Sequence, residues 1–170
     1  MTATMPAPSL VFAWGNPSRG DDSLGPRFIE RLAALSAAHP EWLRFEALGD
    51  FQLQIEHALD LAGRQRILFV DASITCDAPF AVKTITPARD ASFTTHALSP
   101  QALLQVYRDF TDLDPPPTQL LAIRGDRFEL GETLSAAARS HLDAALDWAA
   151  SWLDPERYAS AGIAPRRITA

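Results

Sequence analysis

The chain has 170 residues, 47% of them hydrophobic, and a formal net charge of −6. That length suits one domain with a real core, and the acidic balance disfavours a nucleic-acid partner, because phosphate binding wants a basic face. Cys76 is the one cysteine, so an internal disulfide and a Cys-rich metal site are both excluded, which fits a reducing compartment.

Residues 1–8 are small and Pro-rich and read as a loose arm. They lack a basic region followed by a long apolar run, so no secretory signal or membrane span is expected, and the expected location is the cytoplasm. Leu10-Val11-Phe12-Ala13-Trp14 reads as a buried strand, and Phe28 to Leu35 as a helix. Between them lies Gly15-Asn16-Pro17-Ser18-Arg19-Gly20-Asp21-Asp22-Ser23-Leu24-Gly25-Pro26. Its glycines and Asn-Pro permit a tight turn close to a ligand. A loop at the carboxyl end of a strand in an open α/β sheet is where ligands bind, and two adjacent carboxylates are more than turning requires.

Leu43 to Leu48 alternates and is expected to be the second strand. Gln52 to Leu61 has helical spacing, with Gly63 as its stop. Ile67-Leu68-Phe69-Val70 is continuous and apolar, the pattern of a central parallel strand, and it ends in Asp71. Phe80 to Thr86 alternates between prolines and reads as an edge strand. Ser99-Pro100 supplies an N-cap and a first-turn proline for a helix to about Phe110. Asp114-Pro115-Pro116-Pro117 is a stiff connector, Leu120 to Ile123 another buried strand, and Leu134 to Trp152 a long amphipathic helix. The tail beyond Pro155 shows no periodicity and is expected to be partly disordered. Residues 1–170 form one expected domain with a core over about 9–153. The fold class is α/β: a three-layer αβα architecture with about five strands in a mostly parallel twisted sheet.

Three polar groups stand just beyond a strand or at a helix start: Asp22, Asp71 and His96. Two carboxylates and one imidazole suit a borderline divalent ion such as nickel or zinc. The same trio also suits a general-base system that activates water. Bland roles compete with these. One of Asp21 and Asp22 can serve only to cap the following helix. Asp71 closing a buried strand is harder to explain away, because an unpartnered buried carboxylate is costly. His39, His57 and His141 read as solvated or structural, and Cys76 as a small buried or loop residue. No GxSxG elbow, HExxH pair, Walker loop or GxGxxG fingerprint is present.

The loop Gly15-Asn16…Asp21-Asp22…Gly25 after a strand resembles the opening motif G-N-x-x-x-x-D-[DE]-x-x-G of the hydrogenase maturation endopeptidases. Ile67 to Ala72 is similar to their central strand ending in Asp-Ala, and Thr94-Thr95-His96 to their Thr/Ser-x-His segment. Ala122 to Asp126, followed by Glu129 to Ser135, stands where they carry G-[IV]-x-P-x…G-x-x-L-S. The resemblance runs from about Leu10 to Trp152. It implies a phosphorylase/hydrolase-like fold and an aspartyl-type, nickel-dependent protease. Such a protease acts as a monomer, removing a C-terminal extension from a nickel-loaded hydrogenase large-subunit precursor. It also implies metal ligation by Asp22, Asp71 and His96, catalysis by Asp22 and Asp71, and nickel as the metal, supplied by the precursor. Gly49-Asp50-Phe51-Gln52 and Gly125-Asp126 depart from the family pattern and put the identity of the precursor in doubt; Phe51 to Leu59 resembles a sub-branch form that suggests an NAD-linked hydrogenase.

Two other readings remain open. One is a nickel-reading chaperone of the large subunit that does not cut it. The other is a different hydrolase on a similar fold. Peptidyl-tRNA hydrolases also begin with a strand and Gly-Asn-Pro, but they need a Gly after the Pro, where this chain has Ser18.

Overall fold

The computed structural model describes residues 5–90 and 98–160. Strand β1 (Ser9–Trp14) leads through a 3-10 turn (Gly20–Ser23) into α1 (Leu24–Ser36). Strand β2 (Phe45–Asp50) is followed by a second 3-10 segment (Ile55–Leu61). Then come β3 (Arg66–Ser73), β4 (Phe80–Ile85), α2 (Pro100–Thr111), β5 (Thr118–Arg124), α3 (Ala136–Leu153) and a short α4 (Pro155–Ser160).

The five strands form one sheet in the order β2-β1-β3-β5-β4. All neighbours are parallel except β4, which runs antiparallel to β5 at the edge. Both faces are covered, so every residue of β1 is buried, as expected for a parallel sheet between two helical layers. One face carries Val11, Ala13, Leu68, Val70, Leu121 and Ile123 against α1 and α3. The other carries Leu10, Phe12, Trp14, Ile67 and Phe69 against α2 and the second 3-10 segment. The α/β class, the five strands and the edge position of β4 agree with the sequence expectation.

Three elements differ from expectation. The helix expected over 52–61 is a 3-10 segment that starts at Ile55. Its buried residues Ala58 and Leu61 are three apart, which matches three residues per turn. Its start is pinned where the Gln54 N–H donates to His57 Nδ1 at 2.9 Å. Helix α3 begins at Ala136 rather than Leu134 because Ser135 is its N-cap, accepting from Ala138 N–H at 3.1 Å. Beyond Pro155 the chain makes another helical turn, α4. Its free N–H groups at Glu156 and Arg157 both donate to Asp154 Oδ1, satisfying orphan donors of a helix start.

Candidate active site

The loop after β1 is held by its own polar groups. Gly15 sits at φ +148°, and a Cβ there would lie 2.0 Å from the Asp22 carbonyl oxygen. Only glycine lets the strand end approach the loop this closely. Asn16 Oδ1 accepts from Ser18 N–H at 2.9 Å, and the Asn16 N–H donates to Asp22 Oδ2 at 2.7 Å. The loop thereby fixes the Asp22 carboxylate through one oxygen.

The neighbouring acid does something else. Asp21 is completely buried. It accepts from the N–H groups of Asp126 (2.9 Å), Arg127 (3.1 Å) and Ser135 (2.8 Å), and from Ser135 Oγ (2.9 Å). Its own N–H donates to the Arg127 carbonyl at 2.7 Å. Burial alone would raise its proton affinity, but these hydrogen bonds outweigh it and hold the carboxyl below its ordinary range. Asp21 is therefore a clamp between the first loop and the segment 125–135, not a helix cap. The Gly125-Asp126 departure lies in this clamp: a Cβ at Gly125 would come within 2.8 Å of Asp21 Cβ.

Asp71 stands at the carboxyl end of β3, level with Ala122 of β5. Its carboxyl is pushed up to about 7, first by burial and then by the negative charge of Asp22. The Ala72 N–H and the Trp14 side chain pull the other way without cancelling it. Asp71 thus lies within reach of the Asp22 charge. Neither joins a salt bridge among the described residues. Two neighbouring carboxylates with no balancing cation form a donor set that fits a divalent ion. Among the described residues no group of three or more His, Cys, Asp and Glu comes together, and His96, the expected third donor, lies outside them.

The remaining histidines are structural. His57 packs against Phe12 with ring centroids 4.6 Å apart and the rings tilted by 54°. Since its Nδ1 accepts from Gln54, its Nε2 donates to Asp50 Oδ2 at 3.1 Å. His141 Nδ1 bonds the Arg124 carbonyl at 2.8 Å, and His39 stacks on Trp42 beside Glu41. Cys76 is half-buried, its thiol directed at the Ala122 carbonyl. The sequence reading missed the Asp50–His57 pair. It holds the end of β2 beside a cleft of about 450 Å³ lined by Gly15, Pro17, Pro26, Ile29 and Phe51. The acid at the end of β2 and the histidine seven residues later were the available signal.

No protein-family model and no curated protein sequence matches this chain. Solved structures do. The NiFe hydrogenase maturation protease HycI from Thermococcus kodakarensis KOD1 superposes with a TM-score of 0.62 at 19% identity, covering 85% of this chain and 90% of that one. The chain has the fold of the hydrogenase maturation proteases. The maturating endopeptidase HybD from E. coli gives a TM-score of 0.61 at 22% identity, over 83% of this chain and 88% of that one. The endopeptidase HycI from E. coli gives 0.61 at 19% identity, over 85% and 90%. Among the described residues no helix is long and apolar enough to cross a membrane.

Proposed function

We propose that this chain is an endopeptidase that removes the C-terminal extension of a nickel–iron hydrogenase large-subunit precursor after nickel insertion. The observation that carries this reading is the pairing of Asp22 with Asp71 at the carboxyl end of the sheet, on a fold shared with maturation proteases. Asp22, Asp71 and His96 would hold the nickel that arrives with the precursor and so align the scissile bond. When bound there, nickel would supply Lewis-acid polarisation of the scissile carbonyl. An ionised carboxylate of the pair takes a proton from water as the water oxygen bonds to the carbonyl carbon. That proton then passes to the departing amine. Burial of Asp71 and the adjacent charge of Asp22 keep one carboxyl of the pair ready to exchange a proton near neutral pH.

The test is to incubate the protein with nickel-loaded precursor and look by mass spectrometry for the released C-terminal peptide. Release supports the reading. Stable binding of the precursor with no release would replace it with the chaperone reading, and no interaction at all would reject both.

A further inference from the structure

A second cavity, of about 310 Å³, has Asp71 in its lining, together with Ser73, Ala81, Lys83, Leu120 and Ala122 among others. The register explains why these residues share it. Asp71 lies level with Ala122, Ala122 with Ala81, and Leu120 with Lys83, so their side chains stand on one face of the sheet. Small side chains at Ala122 and Ala81 keep the floor low between Asp71 and Lys83. Fourteen of the fifteen basic side chains in this protein are arginine, and Lys83 is the single lysine. It joins no salt bridge among the described residues. The segments outside the described residues (1–4, 91–97 and 161–170) contain no Asp or Glu. Among the described residues no acidic side chain lies within ion-pair distance of this ammonium.

We propose that Lys83 is a substrate-positioning residue: its ammonium receives a carboxylate of the precursor's C-terminal extension in the cavity it shares with Asp71. This inference rests on the protease reading above. A carboxylate is the chemistry an unpaired ammonium selects, and the C-terminal side of the scissile bond is the one side that must carry one, since every extension ends in a free carboxylate. An acidic side chain of the extension would meet the same need. Two strand spacings and two residues of rise separate Asp71 from Lys83, roughly 12 Å between Cα atoms. An extended peptide advances roughly 3.3 Å per residue. Allowing for the reach of the lysine side chain, the recognised carboxylate lies about two to four residues beyond the cut. The competing role is protective: a lysine on an edge strand discourages pairing with other chains. That role requires no effect on substrate affinity.

The experiment compares wild type, Lys83→Met and Lys83→Arg on nickel-loaded precursor. Lys83→Met is expected to raise KM about tenfold with kcat within twofold, the loss of one charge-assisted hydrogen bond, and Lys83→Arg to restore most of the affinity. Two precursor variants separate the sources of the carboxylate. One has every Asp and Glu of the extension changed to Asn or Gln, and the other has an amidated C-terminus. The variant lacking the recognised group should give wild type the KM of Lys83→Met and should be indifferent to that substitution. Because Lys83 is the sole lysine, a chemical test needs no mutation. Acetylation should raise KM, whereas reductive dimethylation, which keeps the charge, should not; the α-amino group reacts in both. Equal KM values for wild type and Lys83→Met would overturn the inference while leaving the protease reading intact. Failure of wild type to cleave the precursor would overturn both.

Discussion

Asp21 and Asp22 are neighbours with opposite assignments, and the difference can be measured. Asp21→Ala would take the acceptor from three part-buried backbone N–H groups and the Ser135 hydroxyl. That is expected to cost about 3 kcal/mol or more. Asp22→Ala removes one accepted bond, from Asn16 N–H, and should cost about 1 kcal/mol. Urea unfolding of both variants checks the contrast, and equal losses would contradict it. Sequence allowed that one of the two acids served only as a cap. It could not say which, because the partners of Asp21 lie more than a hundred residues away. Asp71 gives a prediction of opposite sign. In the metal-free protein its carboxyl holds a proton up to about 7, against 3.8 ordinarily. The native state therefore binds more protons than the unfolded chain between those values, and the contribution of Asp71 to stability falls as pH rises through them. Above pH 7 the ionised form is a penalty of at most about 4 kcal/mol. Asp71→Asn should therefore melt higher than wild type at pH 8 and at the same temperature near pH 4. A lower melting temperature at pH 8 would show that the Asp71 carboxylate is stabilised by a partner in the folded protein.

At the scale of elements, the buried strands were the most legible part, because a parallel strand covered on both faces must be apolar at nearly every position. Ile67 to Val70 is such a run, and all four residues are fully buried. The Ser99 cap was legible because Pro100 follows it at the first helical position, whereas Ser135 was read as lying inside its helix; both accept from the N–H three residues on. The antiparallel direction of β4 was not legible, since alternation in Phe80 to Ile85 reports its exposed edge and not its partner. Nor was the 3-10 form of 55–61, whose start is held by the side chain of His57. The two capped helices differ in what the cap also does. The Ser99 hydroxyl donates to the exposed Asp90, whereas the Ser135 hydroxyl donates to the buried Asp21. Ser99→Ala should cost about 1 kcal/mol, the ordinary price of an N-cap. Ser135→Ala should cost about 2 kcal/mol or more, because a buried acceptor also loses a donor. The effect of Ser135→Ala should shrink in an Asp21→Asn background, while that of Ser99→Ala should not. Thermal melts of the single and double variants measure this directly.

At the scale of the whole molecule, the order β2-β1-β3 decides where chemistry can occur. From β1 the chain crosses to β2 on one side, and β3 then returns to the other side of β1. Strand ends diverge at such a switch point and leave a crevice outside their carboxyl ends. Asp22 follows β1 and Asp71 lies two residues before the end of β3, so the two carboxylates flank that crevice. Strand order is a property of the whole chain, which is why sequence identified both residues without fixing their mutual position. Damage to the crevice and damage to the core should consequently separate. Phe69 is fully buried against Phe12 and Trp14, with ring centroids 6.4 and 5.7 Å away. Phe69→Ala should cost about 4 kcal/mol and lower processing only as far as it depletes folded protein. Asp22→Asn and Asp71→Asn should abolish release of the C-terminal peptide without lowering the melting temperature at pH 7, and His96→Ala should abolish it as well. Wild type should release no peptide from precursor prepared without nickel. Full processing of nickel-free precursor would mean that the carboxylates at the switch point do not read the metal, and full processing by either Asp→Asn variant that they do not cut the chain.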